Sequence, residues 1–157
     1  MTRVAPAVRG LAVLTGAVLA LAGCTAEVAV DVPSPGPEAA AVCSALVADL
    51  PERVVGQPTR DVAADPGAPV AAWGTPPITL RCGVPAPAAL EPTSQCYEVD
   101  GVGWFAEQGT DGWLFTTIGR TAFVEVGVPS RYAPEADALV DLAPAVRTHD
   151  PLQTPCV

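Results

Sequence analysis

The amino-acid sequence predicts an α+β fold: a small antiparallel β-sheet, arranged as a meander, flanked by an N-terminal and a C-terminal helix and bridged by disulfides. Three observations support this prediction. A helical apolar pattern occupies residues 38–50, short alternating segments separated by Gly-containing turns fill residues 70–128, and a second helical pattern follows Pro134. The order helix, strands, helix is typical of the α+β class.

The first helix is expected at residues 38–50, and Pro51 is expected to end it because proline cannot continue a helix. Its apolar residues recur at helical spacing and form one stripe, with Cys43 beside it. The stripe consists of Val42, Leu46, Val47 and Leu50. The following residues, 53–69, are rich in Pro and Asp and predict a loop with a short extended piece at 53–57.

Six short segments are candidate strands because apolar and polar residues alternate in them or because Gly turns bound them. They are residues 70–73, 77–82, 97–100, 102–106, 113–118 and 121–128. The pairs Asp100-Gly101, Asp111-Gly112 and Gly119-Arg120 supply turns between neighbouring strands. These patterns together predict the meander.

The second helix is expected to begin at Pro134, because proline is favoured in the first turn of a helix. Leu139, Val140 and Leu142 form its apolar stripe, and Pro144 is expected to end or kink it. Residues 147–157 then predict a tail that Cys156 would hold in place if it is bridged.

The N-terminus carries the pattern of a bacterial lipoprotein signal. Arg3 and Arg9 precede an apolar run at residues 11–21, and the tetrad Leu21-Ala22-Gly23-Cys24 closes it. The run is about half the ~20 residues that cross a bilayer, so cleavage before Cys24 is favoured over a transmembrane helix. The alternative is an ordinary secretory signal that leaves Cys24 as a spare thiol.

This pattern divides the chain into a signal peptide at residues 1–23, a lipidated Cys24 with a Pro-rich tether at 24–37, and one globular domain at 38–157. A diacylglyceryl group on Cys24 would hold the domain on the outer face of the cytoplasmic membrane, because two acyl chains anchor firmly. Removal of residues 1–23 takes away two arginines and changes the formal charge from -9 to -11. Such an acidic domain is repelled by nucleic acid and by anionic lipid, which excludes both as electrostatic partners.

The four other cysteines are expected to form two disulfides, because an even number outside the cytoplasm is typical of a disulfide framework. Three pairings are open. We prefer Cys82 with Cys96, across a Pro-rich loop, and Cys43 with Cys156, which would join the two ends of the domain. A zinc site is disfavoured because the chain has no Cys-x-x-Cys pair and a single His, His149.

Candidate binding residues are Trp73, Arg81, Trp104 and Trp113, which could form the floor of an aromatic groove for an envelope glycan or peptide. The structural interpretation is favoured. Three tryptophans are what a small Ala-rich core needs, and alternation turns Arg81 toward a cross-strand ion pair with Glu98 or Glu125.

Catalytic residues are not evident. His149 lies beside Asp150 in the predicted tail, where no rigid scaffold positions it for a catalytic triad. Arg120 follows the Gly119 turn and is expected to be exposed. The sequence therefore predicts no catalytic site, no cofactor and no metal.

Four motifs carry a family resemblance. They are Cys43-Ser-Ala-Leu46 with Leu50-Pro51, the run from Trp73-Gly74-Thr75-Pro76 to Arg81-Cys82-Gly83-Val84, Val102-Gly103-Trp104, and Val126-Gly127-Val128-Pro129. Together they resemble the domain of unknown function 3515 family, which looks actinobacterial. The resemblance implies no activity and no catalytic residue. We therefore expect a non-enzymatic, membrane-anchored binding domain; the alternatives are a small-molecule or glycan pocket near Trp73 and Arg81 and, third, an envelope hydrolase.

Overall fold

The computed structural model describes residues 1–2 and 26–156, in which the α+β prediction is confirmed. The predicted signal peptide and Cys24 lie outside the described residues. The elements are α1 (Pro37–Ala48), β1 (Arg53–Val54), β2 (Gln57–Arg60), β3 (Val70–Trp73), β4 (Ile78–Cys82), β5 (Tyr97–Val99), β6 (Val102–Gly109), β7 (Gly112–Thr117), β8 (Val124–Pro129), a 3-10 turn (Ser130–Tyr132) and α2 (Asp137–His149). No helix in this part of the chain is both long and apolar enough to span a membrane.

The sheet is antiparallel and has the strand order β1-β2-β3-β4-β8-β7-β6-β5. It is therefore two four-stranded meanders joined through β4 and β8, rather than one continuous meander. The joining pair has Leu80 opposite Val126, and both side chains are fully buried. Pairing of these two apolar strands places them in the centre of the sheet and leaves β1 and β5 at its two edges.

One face of the sheet packs against both helices and forms the core. The largest buried side chains include Trp73 from β3, Trp104 from β6, and Leu139 and Leu142 from α2. Val140, predicted to belong to the apolar stripe of α2, is instead 50% exposed. The stripe continues past Leu142 through Ala143, Ala145 and Val146, all buried.

Pro144 lies inside α2, and the helix continues to His149. Of the two predicted effects of this proline, an end or a kink, the end is therefore wrong. A proline in a helix removes one backbone hydrogen bond and its ring crowds the preceding turn. Ala143, Ala145 and Val146, on either side of Pro144, are buried, and the stabilisation from this burial offsets the cost.

The disulfides are Cys43–Cys82 and Cys96–Cys156, so both preferred pairings are wrong. Cys43 is buried on the inner face of α1 and bonds to Cys82, the last residue of the central strand β4, so this bridge attaches α1 to the centre of the sheet. The C-terminal residues return to the sheet through the bridge between Arg120 and Leu152, which carries Cys156 toward the start of β5. Long-range strand order, which loop length cannot reveal, decides the pairing.

A candidate binding groove

A groove of about 540 Å³ lies between the sheet and the N-terminal end of α2. Its floor is the helix-facing side of β5, β6 and β7, and its opposite wall is the turn that leads into α2. The groove exists because α2 begins only at Asp137 and leaves this end of the sheet uncovered. The residues that line it include Tyr97, Glu98, Trp113, Phe115, Glu135 and Leu139.

Aromatic side chains dominate the open part of the groove. Trp113 and Phe115 alternate along β7 onto the same face, and their rings stack with centroids 6.4 Å apart. Phe115 is buried, whereas Trp113 is 37% exposed and Tyr97 is 48% exposed. The Tyr97 hydroxyl donates to Oε1 of Gln95 at 2.6 Å. The groove thus presents two large, partly exposed aromatic rings beside a packed one, an arrangement suited to an apolar side chain.

The edge strand β5 borders the groove and leaves main-chain groups open. Glu98 pairs with Gly103 on β6, while the Gly103 carbonyl accepts a hydrogen bond from the amide of Ile118 on the other side. Since the amide and carbonyl of one residue point the same way in an antiparallel strand, Glu98 and Gly103 form a non-hydrogen-bonded pair. The main-chain N–H and C=O of Glu98 therefore point toward the open edge of the sheet.

The carboxylate that the fold directs toward the groove is that of Glu135, on the helix side. Glu98 also borders the groove, but its side chain alternates with those of Tyr97 and Val99 and points toward the opposite face of the sheet. No Arg or His is among the described residues that line the groove. In a chain with a formal charge of -9, Glu135 makes the groove favourable for a ligand that carries positive charge.

The sequence-predicted site residues are not brought together. Trp73 and Trp104 are fully buried in the core, where Trp73 donates from Nε1 to the Pro51 carbonyl at 3.0 Å. Of the three tryptophans, only Trp113 reaches the groove. The structural interpretation of Trp73 and Trp104 therefore fits their positions.

Arg81 lies on the sheet face that points away from the helices. It is directly opposite Glu125 on β8, and its Nη2 is 2.7 Å from Glu125 Oε1. Its Nε also donates to the same oxygen at 2.8 Å. This is the cross-strand ion pair that alternation predicts, and it occupies the side chain on the opposite face from the groove.

A second polar cluster lies at the C-terminal end of α2. Asp150 is fully buried, and its Oδ1 accepts a hydrogen bond from the Ala122 amide at 3.1 Å. Burial raises the pKa of Asp150, although the Ala122 amide and the charge of Arg120 oppose the shift. Arg120, predicted to be exposed, donates instead to the carbonyls of Asp150 and Gly101 at 2.5 and 3.0 Å. Burial lowers the pKa of Arg120, against the influence of the Asp150 charge.

This cluster has a structural use. Arg120 and Asp150 connect the β7–β8 loop to the end of α2, and Arg147 connects the same helix to Asp100 in the β5–β6 turn. His149 ends the helix, and its Nε2 lies 3.0 Å from Asp49 Oδ2. Within residues 26–156, no group of three His, Cys, Asp or Glu side chains is placed to hold a metal ion.

Sequence reasoning missed most of the groove. The spacing of Trp113 and Phe115 along one strand indicates a shared face, but Tyr97 and Leu139 come from distant segments. Their approach depends on β5 lying at the sheet edge and on the residue at which α2 begins. Neither of these features can be predicted from a short stretch of sequence.

Comparisons with known proteins identify the family without assigning an activity. The model of a family described as "Protein of unknown function (DUF3515)" matches residues 4–154, nearly the whole chain. Neither the curated proteins nor the solved structures gave a significant match. The motifs at Cys43, Trp73, Val102 and Val126 fall within the matched range. The chain therefore belongs to the DUF3515 family of proteins of unknown function.

Proposed function

We propose that this protein is a non-catalytic, lipid-anchored domain of the cell envelope that binds an extended, basic segment of another envelope protein. Cys24 would carry the lipid, and the groove bounded by Tyr97 and Trp113 would take an apolar side chain of the partner. The observation that carries the proposal is the exposed aromatic surface beside the open edge of β5.

The edge strand favours an extended peptide as the occupant. A peptide strand laid along β5 could hydrogen-bond with the main chain of Glu98, while the groove receives one of its side chains. Strand addition of this kind combines main-chain hydrogen bonds with pockets for alternate side chains. Glu135 favours a lysine or arginine near that apolar side chain, since the charges are complementary.

A small-molecule or glycan ligand in the same groove is the second candidate. The volume of about 540 Å³ falls in the range of small-ligand sites, roughly 300–1,000 Å³. Stacked Trp113 and Phe115 rings would suit an apolar or sugar face as well as a side chain. The groove is a better location for such a ligand than the surface near Trp73 and Arg81 that the sequence suggested. Trp73 is buried in the core, and Arg81 is paired with Glu125.

Isothermal titration calorimetry with two short blocked peptides tests the proposal. One peptide alternates leucine with lysine, and the other alternates leucine with glutamate. The proposal predicts that the lysine peptide binds more tightly and that Trp113→Ala weakens its binding about tenfold or more, or roughly 1.4 kcal/mol, as expected for loss of an aromatic anchor.

The matched control is Val140→Ala, which removes an exposed apolar side chain from the outer face of α2. It should leave binding unchanged. Equal binding by wild type and Trp113→Ala would contradict the groove as the peptide site. Binding of the glutamate peptide at equal strength would contradict the role of Glu135.

A further inference from the structure

The N-terminal strap, defined as residues 26–36, is attached to the folded domain near both of its ends. Near its start, Val28 is buried and forms a parallel bridge with Val62, since its amide donates to the Asp61 carbonyl at 2.8 Å. In return, the Ala63 amide donates to the Val28 carbonyl at 2.9 Å. The beginning of the segment that the sequence assigns to a Pro-rich tether is thus in contact with the domain.

Both ends of the strap have specific contacts. At its start, Nη2 of Arg60 donates to the Ala26 carbonyl at 2.8 Å, while Nη1 of the same side chain donates to the Gly74 carbonyl at 2.9 Å. Near its end, Pro35 packs so closely on Gly83 that a Cβ at that position would lie 2.5 Å from Pro35 Cβ. Gly83 also has a positive φ of 83°, which favours glycine.

The lipid-modified cysteine would therefore lie very close to the domain. Cys24 is two residues before Ala26, so their Cα atoms are separated by about 7.6 Å at most. We infer that the surface around Ala26 and Arg60, at the β2 side of the sheet, faces the bilayer with no flexible spacer between them. This inference rests on the lipid anchor proposed above.

The binding groove lies toward the other edge of the same sheet. Residues that lie directly opposite one another on neighbouring strands form one row across six strands, from β2 to β6. The row consists of Arg60, Ala72, Thr79, Gly127, Leu114 and Glu107. Five strand spacings of ~4.8 Å separate the ends of this row by about 24 Å along the sheet. Trp113, adjacent to Leu114, and the edge strand β5 are thus turned away from the membrane-facing side. The groove would take its partner from the aqueous envelope rather than from the lipid.

Electrostatic attraction to lipid does not explain this orientation of the domain on the membrane. Glu27 of the strap and the neighbouring Asp61 are exposed, and Arg60 donates hydrogen bonds to the carbonyls of Ala26 and Gly74. An acidic surface is repelled by anionic lipid. The short covalent connection, rather than electrostatic attraction, would hold this side against the membrane.

Energy transfer to a labelled lipid tests the orientation. The full-length lipidated protein is reconstituted into phosphatidylcholine vesicles that contain a headgroup-labelled acceptor lipid. A donor dye is placed on Thr59→Cys, beside Arg60, or on Gln108→Cys, beside Glu107; both positions are exposed. Transfer should be clearly stronger from position 59 than from position 108.

A spacer variant provides the control. Insertion of a twelve-residue Gly/Ser linker between Thr25 and Ala26 adds roughly 19 Å of root-mean-square reach and should remove most of the difference between the two positions. Equal transfer from both positions without the linker would overturn the inference while leaving the anchor intact. Mass spectrometry that finds Cys24 without acyl chains would overturn the anchor itself, and with it the orientation.

Discussion

The two ends of the helix-facing side of the sheet differ in what covers them. At the β3 end, Trp73 lies under the helices and is fully buried, whereas at the β7 end Trp113 lies beyond the start of α2 and is 37% exposed. The same residue type on the same face is thus part of the core in one region and part of a surface groove in the other. The length and position of α2, rather than the residue type, determine whether a tryptophan on this face belongs to the core or to the candidate binding groove.

Truncation of the buried tryptophans should have the largest effect on stability. Trp73→Ala or Trp104→Ala leaves an enclosed cavity and should lower the free energy of unfolding by about 3–5 kcal/mol. Trp113→Ala opens no enclosed cavity and should cost roughly 1–2 kcal/mol. Urea denaturation of the three variants checks this order. Equal losses at Trp73 and Trp113 would remove the distinction between the two regions.

The disulfides should also differ between the two regions. Both cysteines of Cys43–Cys82 are fully buried, one on α1 and the other at the end of β4, whereas Cys96 and Cys156 are partly exposed near the groove. We expect mild reductant to open Cys96–Cys156 first, since a thiolate must reach the sulfur that it attacks. Removal of either bridge should cost about 2–4 kcal/mol.

Peptide mapping under non-reducing conditions checks both the pairing and the order of reduction. Recovery of a Cys82–Cys96 peptide would contradict the packing of α1 on β4. The same digest reports free thiols, and alkylation of any of the four cysteines before reduction would contradict the two-bridge arrangement.

The buried Asp150 should make the stability of the folded protein depend on pH. Its pKa is raised in the folded state, so the folded protein retains the proton over a pH range where the unfolded chain has lost it. Stability should therefore fall as the pH rises from the unfolded aspartate pKa of about 3.9 through the raised folded value. Asp150→Asn keeps an oxygen acceptor for the Ala122 amide and should flatten this dependence.

Asp150→Ala provides the contrast, because it leaves the buried Ala122 amide without an acceptor and should cost about 1–3 kcal/mol. Denaturation of wild type and both variants at pH 4 and pH 7 separates the charge from the hydrogen bond. A pH profile that is the same for wild type and Asp150→Asn would refute the role of the buried carboxylate.

Arg81 should have the smallest effect. Its ion pair with Glu125 is partly exposed, with side-chain exposures of 28% and 18%, and such pairs contribute about 1 kcal/mol or less. A double-mutant cycle with Arg81→Ala and Glu125→Ala measures the coupling energy. Because Arg81 points away from the groove, Arg81→Ala should not change binding of the lysine peptide. A large loss of binding would indicate instead that the site lies near Trp73 and Arg81, as the sequence suggested.

Features that depend on neighbouring residues could be predicted from the sequence, whereas features that depend on the strand order could not. Local patterns placed both helices and most strands, and alternation predicted that Arg81 pairs across the sheet, which the Glu125 contact confirms. The disulfide pairing and the approach of Tyr97 to α2 depend on the order of the strands, in which β8 lies beside β4 and β5 lies at the edge. That pairing joins segments far apart in the chain, and no short window contains it.

Photo-crosslinking in intact envelopes tests the central claim most directly. A benzophenone amino acid replaces Gln108, the exposed residue directly opposite Trp113, in one variant and Val140 in the other, so that Trp113 stays intact. The crosslinked species is identified by mass spectrometry of its peptides. The groove proposal predicts that position 108 captures one envelope protein through an extended segment rich in apolar and basic residues, and that position 140 does not capture it. Capture of the same species at both positions, or of no peptide at position 108, would contradict the proposal.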